Sequence, residues 1–169
     1  MNAPSPSPLY SRLLELSHSH ATPTSMDEIL HIRSPDARHS WGHKYLVSKN
    51  SGLQDTMNNE AFKSHIMTSG IYLDTSSLRV HSIVVDEFQR RSTIHMSYFL
   101  KAKGTEEVVE HDLIWSLAFT DQLDVEGVLI KESVEFIDGA FGARMSALVR
   151  AAHGNVSDST RGSITLLED

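Results

Sequence analysis

From Ser76 onward the apolar residues recur at every second position, whereas before it they recur at helical spacing. No other feature constrains the fold as strongly. The alternation predicts strands over roughly 78–87, 91–101, 107–120 and 127–137. The breaks between them, Gln89-Arg90, Lys103-Gly104-Thr105 and Asp121 to Gly127, are short or rich in turn residues. Short connections between consecutive strands favour antiparallel pairing.

Ahead of the strands the spacing predicts three helices. The first runs from Leu9 to Ser17, with Leu9, Leu13 and Leu16 on one stripe. A second starts at Thr24 or Ser25, where Ser25 and Glu28 have the spacing of a capping box. It ends near Arg33, because Pro35 disfavours helix at Ser34. Asp36 to Thr56 shows no clean period and reads as a long irregular loop carrying Arg38, His39, Trp41, His43, Lys44 and Tyr45. Asn58 can cap a third helix through Phe62 and Ile66 to about Tyr72, and a final helix spans Gly139 to Ala152. Helices followed by a run of strands make an α+β domain. A strongly twisted sheet has a face that three short helices cover incompletely, and the remaining concavity is a natural ligand site. The expected organisation is a flexible Pro-rich arm at 1–8, one domain at 9–152, and a polar, fraying tail at 153–169.

Composition removes several function classes. A chain of 169 residues, 40% hydrophobic and 22% charged, can bury a core without staples. It has no cysteine, which excludes disulfides, thiolate catalysis and metal sites built on Cys. A net charge of −7, from 15 basic and 22 acidic residues, repels a phosphate backbone, so nucleic acid is not an expected partner. No apolar run is long enough for a membrane span, and the N-terminal residues have neither the basic start nor the apolar stretch of a signal peptide. The expected location is cytoplasmic. The glycines form no phosphate-binding fingerprint, and there is no Gly-x-Ser-x-Gly elbow. His39-Ser40-Trp41-Gly42-His43 invites a metal reading, but Gly42 and the missing apolar period argue against a helical ligand pair, and no metal is expected. His18 and His20 flank a polar break and read as solvated.

Strand alternation supplies the candidate site. If Glu135 faces the concavity, Ser133 and Ile137 share its face, and Val109, His111, Leu113, Trp115 and Leu117 form one face of the neighbouring strand. Apolar walls around a carboxyl disfavour its charged form and raise its pKa toward a value useful for proton transfer. The competing reading places Glu135 in a salt bridge at the mouth of the fold. His111 is a second acid–base candidate or a buried imidazole bonded to backbone. Tyr98 is a hydroxyl donor or a packing residue. Trp41 roofs the pocket or anchors its loop.

The closing segment Val128-Leu129-Ile130-Lys131-Glu132-Ser133-Val134-Glu135-Phe136-Ile137-Asp138, with Asp112 to Phe119 before it, resembles the SnoaL-like branch of the nuclear transport factor 2 superfamily. The resemblance covers roughly residues 9–150 and is most specific in the last third. It implies a cone-shaped barrel of a strongly curved, mainly antiparallel sheet, covered by about three N-terminal helices, with a C-terminal helix. It also implies a cofactor-independent isomerase or cyclase, often dimeric, acting on a polycyclic polyketide, meroterpenoid or indole-alkaloid intermediate. The acid at Glu135 would move protons in the pocket, and the arginine at Arg38 would hold an anionic oxygen there; pairing of Arg38 with Asp36 is the structural alternative. Fungal relatives carry tyrosines where this chain has Val109 and Leu113, a departure that requires other donors. Dehydration or hydration is a variant of the same reading. The alternative is a non-catalytic small-molecule-binding or dimerisation module of the same fold, with Val134 and Phe136 on its interface.

Overall fold

The alternating half of the chain forms most of a five-stranded sheet in a computed structural model, which describes residues 5–156. The strands are β1 (Arg33–Gly42), β2 (Leu73–Asp86), β3 (Arg91–Ala102), β4 (Val108–Phe119) and β5 (Ile130–Phe136), and their spatial order is β1-β5-β4-β3-β2. The meander β2–β3–β4–β5 is antiparallel throughout, as its short connections require. β1 pairs with β5 in parallel. β1 and β2 do not pair with each other, so the curved sheet stays open at one seam, as the expected cone-shaped arrangement allows.

β1 corrects the sequence reading. The segment expected to be a loop over Asp36–Thr56 contains this strand, a short helix α3 (Lys44–Lys49) and one 3-10 turn at Ser51–Leu53. Pro35 hides the strand from a pattern search, but an edge position tolerates the missing N–H. A register shift between Arg33 and Arg38 further breaks the alternation. Beyond it the period of two is clean: Ala37, His39 and Trp41 are buried, while Arg38 between them is exposed. His39 also exchanges backbone hydrogen bonds with Met57, which ties the segment after α3 to the strand.

The helices follow their caps. α1 (Pro8–Ala21) starts on Ser7, whose hydroxyl accepts from the Tyr10 N–H and also bonds Glu87. Its buried face, Leu13 and Leu16, packs on Ile94, Met96, Leu113, Leu117 and Phe119 of the sheet. Burying such side chains stabilises by about 1.5–3 kcal/mol each. In α2 (Met26–His31) Ser25 caps the Glu28 N–H as its spacing predicts, while the Glu28 carboxylate reaches back to Thr24 instead of Ser25. α4 (Asn59–Tyr72) is capped by Asn58 and runs straight into β2. α5 (Gly139–His153), capped by Asp138, lays Phe141, Met145 and Val149 on Leu73, Leu100 and Ala102. No helix of the described residues is long and apolar enough to cross a membrane.

The arm expected at 1–8 falls partly outside the described residues, and within them Ser7 and Pro8 already belong to the start of α1. Of the tail expected at 153–169, all but the first four residues lie outside them.

Gly42 is the tightest point of the β1–β5 pair. It stands opposite Phe136, and a Cβ at this position would lie 2.2 Å from that ring. Gly42→Ala must therefore push the ring or the edge strand aside, and a loss of about 1–3 kcal/mol in urea unfolding is the expected outcome. An unchanged unfolding midpoint would show that the edge strand yields freely.

Candidate functional site

The concave face of the sheet, closed over by α1, α2 and α4, holds a cavity of about 440 Å³. That is ample for a small organic ligand. Phe62, Ile66, Leu73, Leu78, Leu100 and Trp115 supply most of its apolar wall. Its polar lining includes Glu135, Tyr98, His20, His65 and His111.

Glu135 occupies this face because alternation along β5 sends Ser133, Glu135 and Ile137 inward. In register it stands between Trp41 on β1 and Trp115 on β4, so two indoles flank the carboxyl. Its side chain is only 12% exposed. Burial disfavours the carboxylate and pushes the pKa up to about 8. At neutral pH the group is mainly protonated. Glu135 is no salt bridge at a mouth: the nearest basic atom, His39 Nε2, lies 4.0 Å from Oε2, and that imidazole is neutral.

Behind the acid runs a buried polar chain that the sequence reading did not assemble. Arg33 Nε donates to Asn59 Oδ1 (2.8 Å), Arg33 Nη1 donates to Ser133 Oγ (3.0 Å), and Ser133 Oγ meets His39 Nδ1 at 3.1 Å. A guanidinium can only donate. Ser133 Oγ therefore accepts from Arg33, and the tautomer of His39 sets the direction of its contact with Nδ1. The other ring nitrogen, His39 Nε2, faces Glu135. Burial, then the nearby His65, Arg33 and His20, hold the His39 pKa well below the usual imidazole value. Burial also lowers Arg33, to about 10, and its guanidinium lies 4.5 Å over the Phe62 ring.

The other expected site residues divide. Tyr98 and His111 face each other across β3 and β4 and both line the cavity. Burial, with a smaller push from Glu135, raises the Tyr98 hydroxyl above its ordinary value; the Trp115 indole pulls slightly the other way without reaching hydrogen-bond geometry. His111 stacks flat on Phe141 at 4.0 Å, and burial lowers its pKa to about 4. Trp115 lines the cavity, whereas Trp41 stands behind it against His39 and His65, packed with Leu53 and Ile137. Leu113 belongs to the core under α1, Val109 packs toward α5, and Ser133 serves the polar chain. Arg38 is a correction. Its side chain leaves β1 on the exposed face, opposite His39, because the strand alternates where a loop was expected. His20 is another: it is buried edge-on against Trp115 at 4.5 Å, and burial lowers its pKa to about 3. The last turn of α1 turns it inward, beyond the point where the predicted helix stops.

Several buried polar atoms here lack a protein partner among the described residues: both ring nitrogens of His20, His39 Nε2, His111 Nε2 and Trp115 Nε1. An unpaired buried polar group costs about 1–3 kcal/mol, so such a set around one cavity suits a ligand that pairs with them.

These ionisations predict a peaked stability profile. The three imidazoles have depressed pKa values, so their contribution is complete above about pH 6.5 and is lost as pH falls toward the folded values. Glu135 has a raised pKa, so its contribution is lost as pH rises from the usual carboxyl value through about 8. Below about pH 6.5 three groups outweigh one. Tm should be highest near neutral to slightly acidic pH and fall on both sides, and Glu135→Gln should flatten the alkaline limb and steepen the acid limb down to about pH 4.5. An alkaline limb unchanged in that variant would refute the burial of its charge.

No family model matches the sequence, and no curated protein matches it as a relative. Solved structures do match. PrhC from Penicillium brasilianum superposes with a TM-score of 0.72 at 15% identity, over 90% of this chain and 95% of that one. The pinacolase BvnE from Penicillium brevicompactum gives 0.68 at 17%, over 89% and 99%. A Jannaschia protein described as a SnoaL-like polyketide cyclase gives 0.60 at 13%, over 87% and 98%. Identities this low carry the fold and no more. The chain has a SnoaL-like fold.

Proposed function

We propose that this protein is a cofactor-independent isomerase or cyclase that rearranges a polycyclic secondary-metabolite intermediate by acid–base chemistry of its own side chains. The observation that carries the reading is Glu135: a carboxyl on the wall of a ligand-sized cavity, flanked by two indoles and tuned to titrate near pH 8. A group poised near working pH can both give and take a proton. Protonated Glu135 delivers its proton to a substrate oxygen or carbon, and the resulting carboxylate removes another from a nearby carbon. The enzyme returns to its starting state with no co-reactant.

The surrounding groups fit that exchange. In the tautomer with its hydrogen on Nε2, His39, held by Ser133, presents that N–H to the carboxylate at the moment it forms. Tyr98 stays a phenol and Trp115 an indole, both neutral hydrogen-bond donors. His111, uncharged at neutral pH, is a hydrogen-bonding group and not the acid. The guanidinium of Arg38 takes no part, because it lies on the far face. The cavity thus favours a largely uncharged, apolar substrate of fused rings. That a pinacolase and a described polyketide cyclase share the fold supports the same class of reaction. Homodimerisation and a cytoplasmic setting belong to the proposal; the former is read from the mass in solution by light scattering.

A test can avoid the unknown substrate. Nitrobenzisoxazole is a flat bicycle whose ring opens when a base removes its one heterocyclic C–H proton: the N–O bond breaks and a coloured cyanophenolate forms. The expected rate rises through about pH 8 as Glu135 ionises, falls at least about a hundredfold in Glu135→Gln, and is unchanged in Arg38→Ala. His39→Phe should lower the rate severalfold and shift the profile to higher pH. A rate that survives in Glu135→Gln with the circular dichroism intact would leave a binding module as the better reading.

A further inference from the structure

On the opposite, convex face of the sheet three adjacent strands bring together His81 of β2, His95 of β3 and Asp112 of β4. One ligand atom from each lies within 4.8 Å of the others. The residues are far apart in sequence and form no local motif. Their meeting depends on a β-bulge. Val80 pairs with Met96 and Ser82 with His95, so His81 is the extra residue of β2 and has no partner of its own. A bulge re-aims a side chain. Here it sets the His81 ring against the His95 ring, with centroids 4.5 Å apart, on the face where alternation also places Asp112.

We propose that His81, His95 and Asp112 form a binding site for a borderline divalent transition-metal ion such as Zn²⁺. Two imidazoles and one carboxylate are a ligand set that such ions accept, and the exposed side of the site leaves room for water as the remaining ligand. The geometry is near what is required. An ion bound at about 2.1 Å from each ligand spaces them by about 3.4 Å in a tetrahedron, so the side chains need to close by roughly an ångström. His81 and Asp112 are exposed and can shift, and the His95 Nε2 to Asp112 Oδ1 contact of 2.7 Å opens by about 0.7 Å as the ion replaces the hydrogen between them. Below them Ser97, fully buried at the sheet surface, orients the set. Its Oγ lies 2.8 Å from His81 Nε2 and donates to Glu110 Oε1 at 2.8 Å. Such outer partners fix ring orientation in metal sites. Glu110 also adds negative charge beside the ion.

The site is independent of the cavity, since neighbouring residues on β3 and β4 point to opposite faces: Met96 and Tyr98 inward, His95 and Ser97 outward. Titration calorimetry of the full chain with Zn²⁺ at neutral pH tests it. The expected result is one equivalent bound with micromolar affinity, together with a Tm that rises with zinc concentration. His95→Ala and Asp112→Asn should each weaken binding by about tenfold or more. Ten histidines could bind zinc loosely elsewhere, so a His18→Ala/His31→Ala variant serves as control and should bind as the parent does. No binding at micromolar zinc, or a His81→Ala/His95→Ala variant that binds like the parent, would overturn the site. Neither outcome touches the chemistry of Glu135.

Discussion

A carboxyl group placed where water cannot reach it well sets the terms for the rest of this structure. Glu135 stands between Trp41 and Trp115 on the two strands beside its own, and the raised pKa measures how poorly that setting tolerates charge. A displacement of this size is on the order of 5 kcal/mol between the ionised and neutral forms. The fold accommodates the residue by keeping it protonated, not by pairing it with a cation. The buried guanidinium of Arg33 is held two groups away, behind Ser133 and His39. Direct contact would make an ion pair, lower the pKa and remove the proton that acid chemistry requires. The intervening serine and imidazole pass on orientation and polarisation without delivering the charge.

The same logic explains why the neighbouring histidines are neutral. His20, His39 and His111 sit where burial lowers their basicity, and each offers at least one unpaired nitrogen. A cavity ringed by neutral donors and acceptors selects by hydrogen-bond position and shape more than by charge. The aromatic packing that depresses them, Phe141 flat on His111 and Trp115 edge-on to His20, also fixes their ring planes. Electrostatics and rigidity therefore come from the same contacts.

What could be read from the chain follows the strength of its periodicity. β2 to β5, the Asn58 cap and α5 are legible because long apolar patterns and a polar cap leave few alternatives. Alternation told which residues share a face with Glu135 and with Trp115, since a strand reverses sides at each step, while the inward placement of Glu135 rested mainly on the family resemblance. β1 was not legible, as Pro35, Asp36 and Gly42 carry turn signals and the parallel pairing partner lies nearly a hundred residues away. That miss propagated. With the segment read as a loop, Arg38 could point anywhere; as a strand it shares a face with Ser40, while His39 and Trp41 take the inner one. The arginine joined to the buried polar chain is Arg33, on the far side of a register shift that no local pattern announces. His20 was missed for a simpler reason. α1 runs four residues beyond its expected end at Ser17, whose hydroxyl is buried through bonds to Leu13 O and Ser92.

Both faces of the sheet carry groups that a core would normally refuse, and the reason lies in the strands themselves. On β4 the inward set His111, Leu113, Trp115 and Leu117 builds the cavity and core, while the outward set includes Glu110 and Asp112. A strand covered on both faces would need apolar residues at every position. Here helices cover one face only, so the chain is free to place chemistry on the other. The bulge at His81 uses that freedom: without the extra residue, the alternation that sends Val80 inward would set a different register against His95. The curvature that hollows the concave face and the bulge that clusters side chains on the convex one thus sit on the same strand pair.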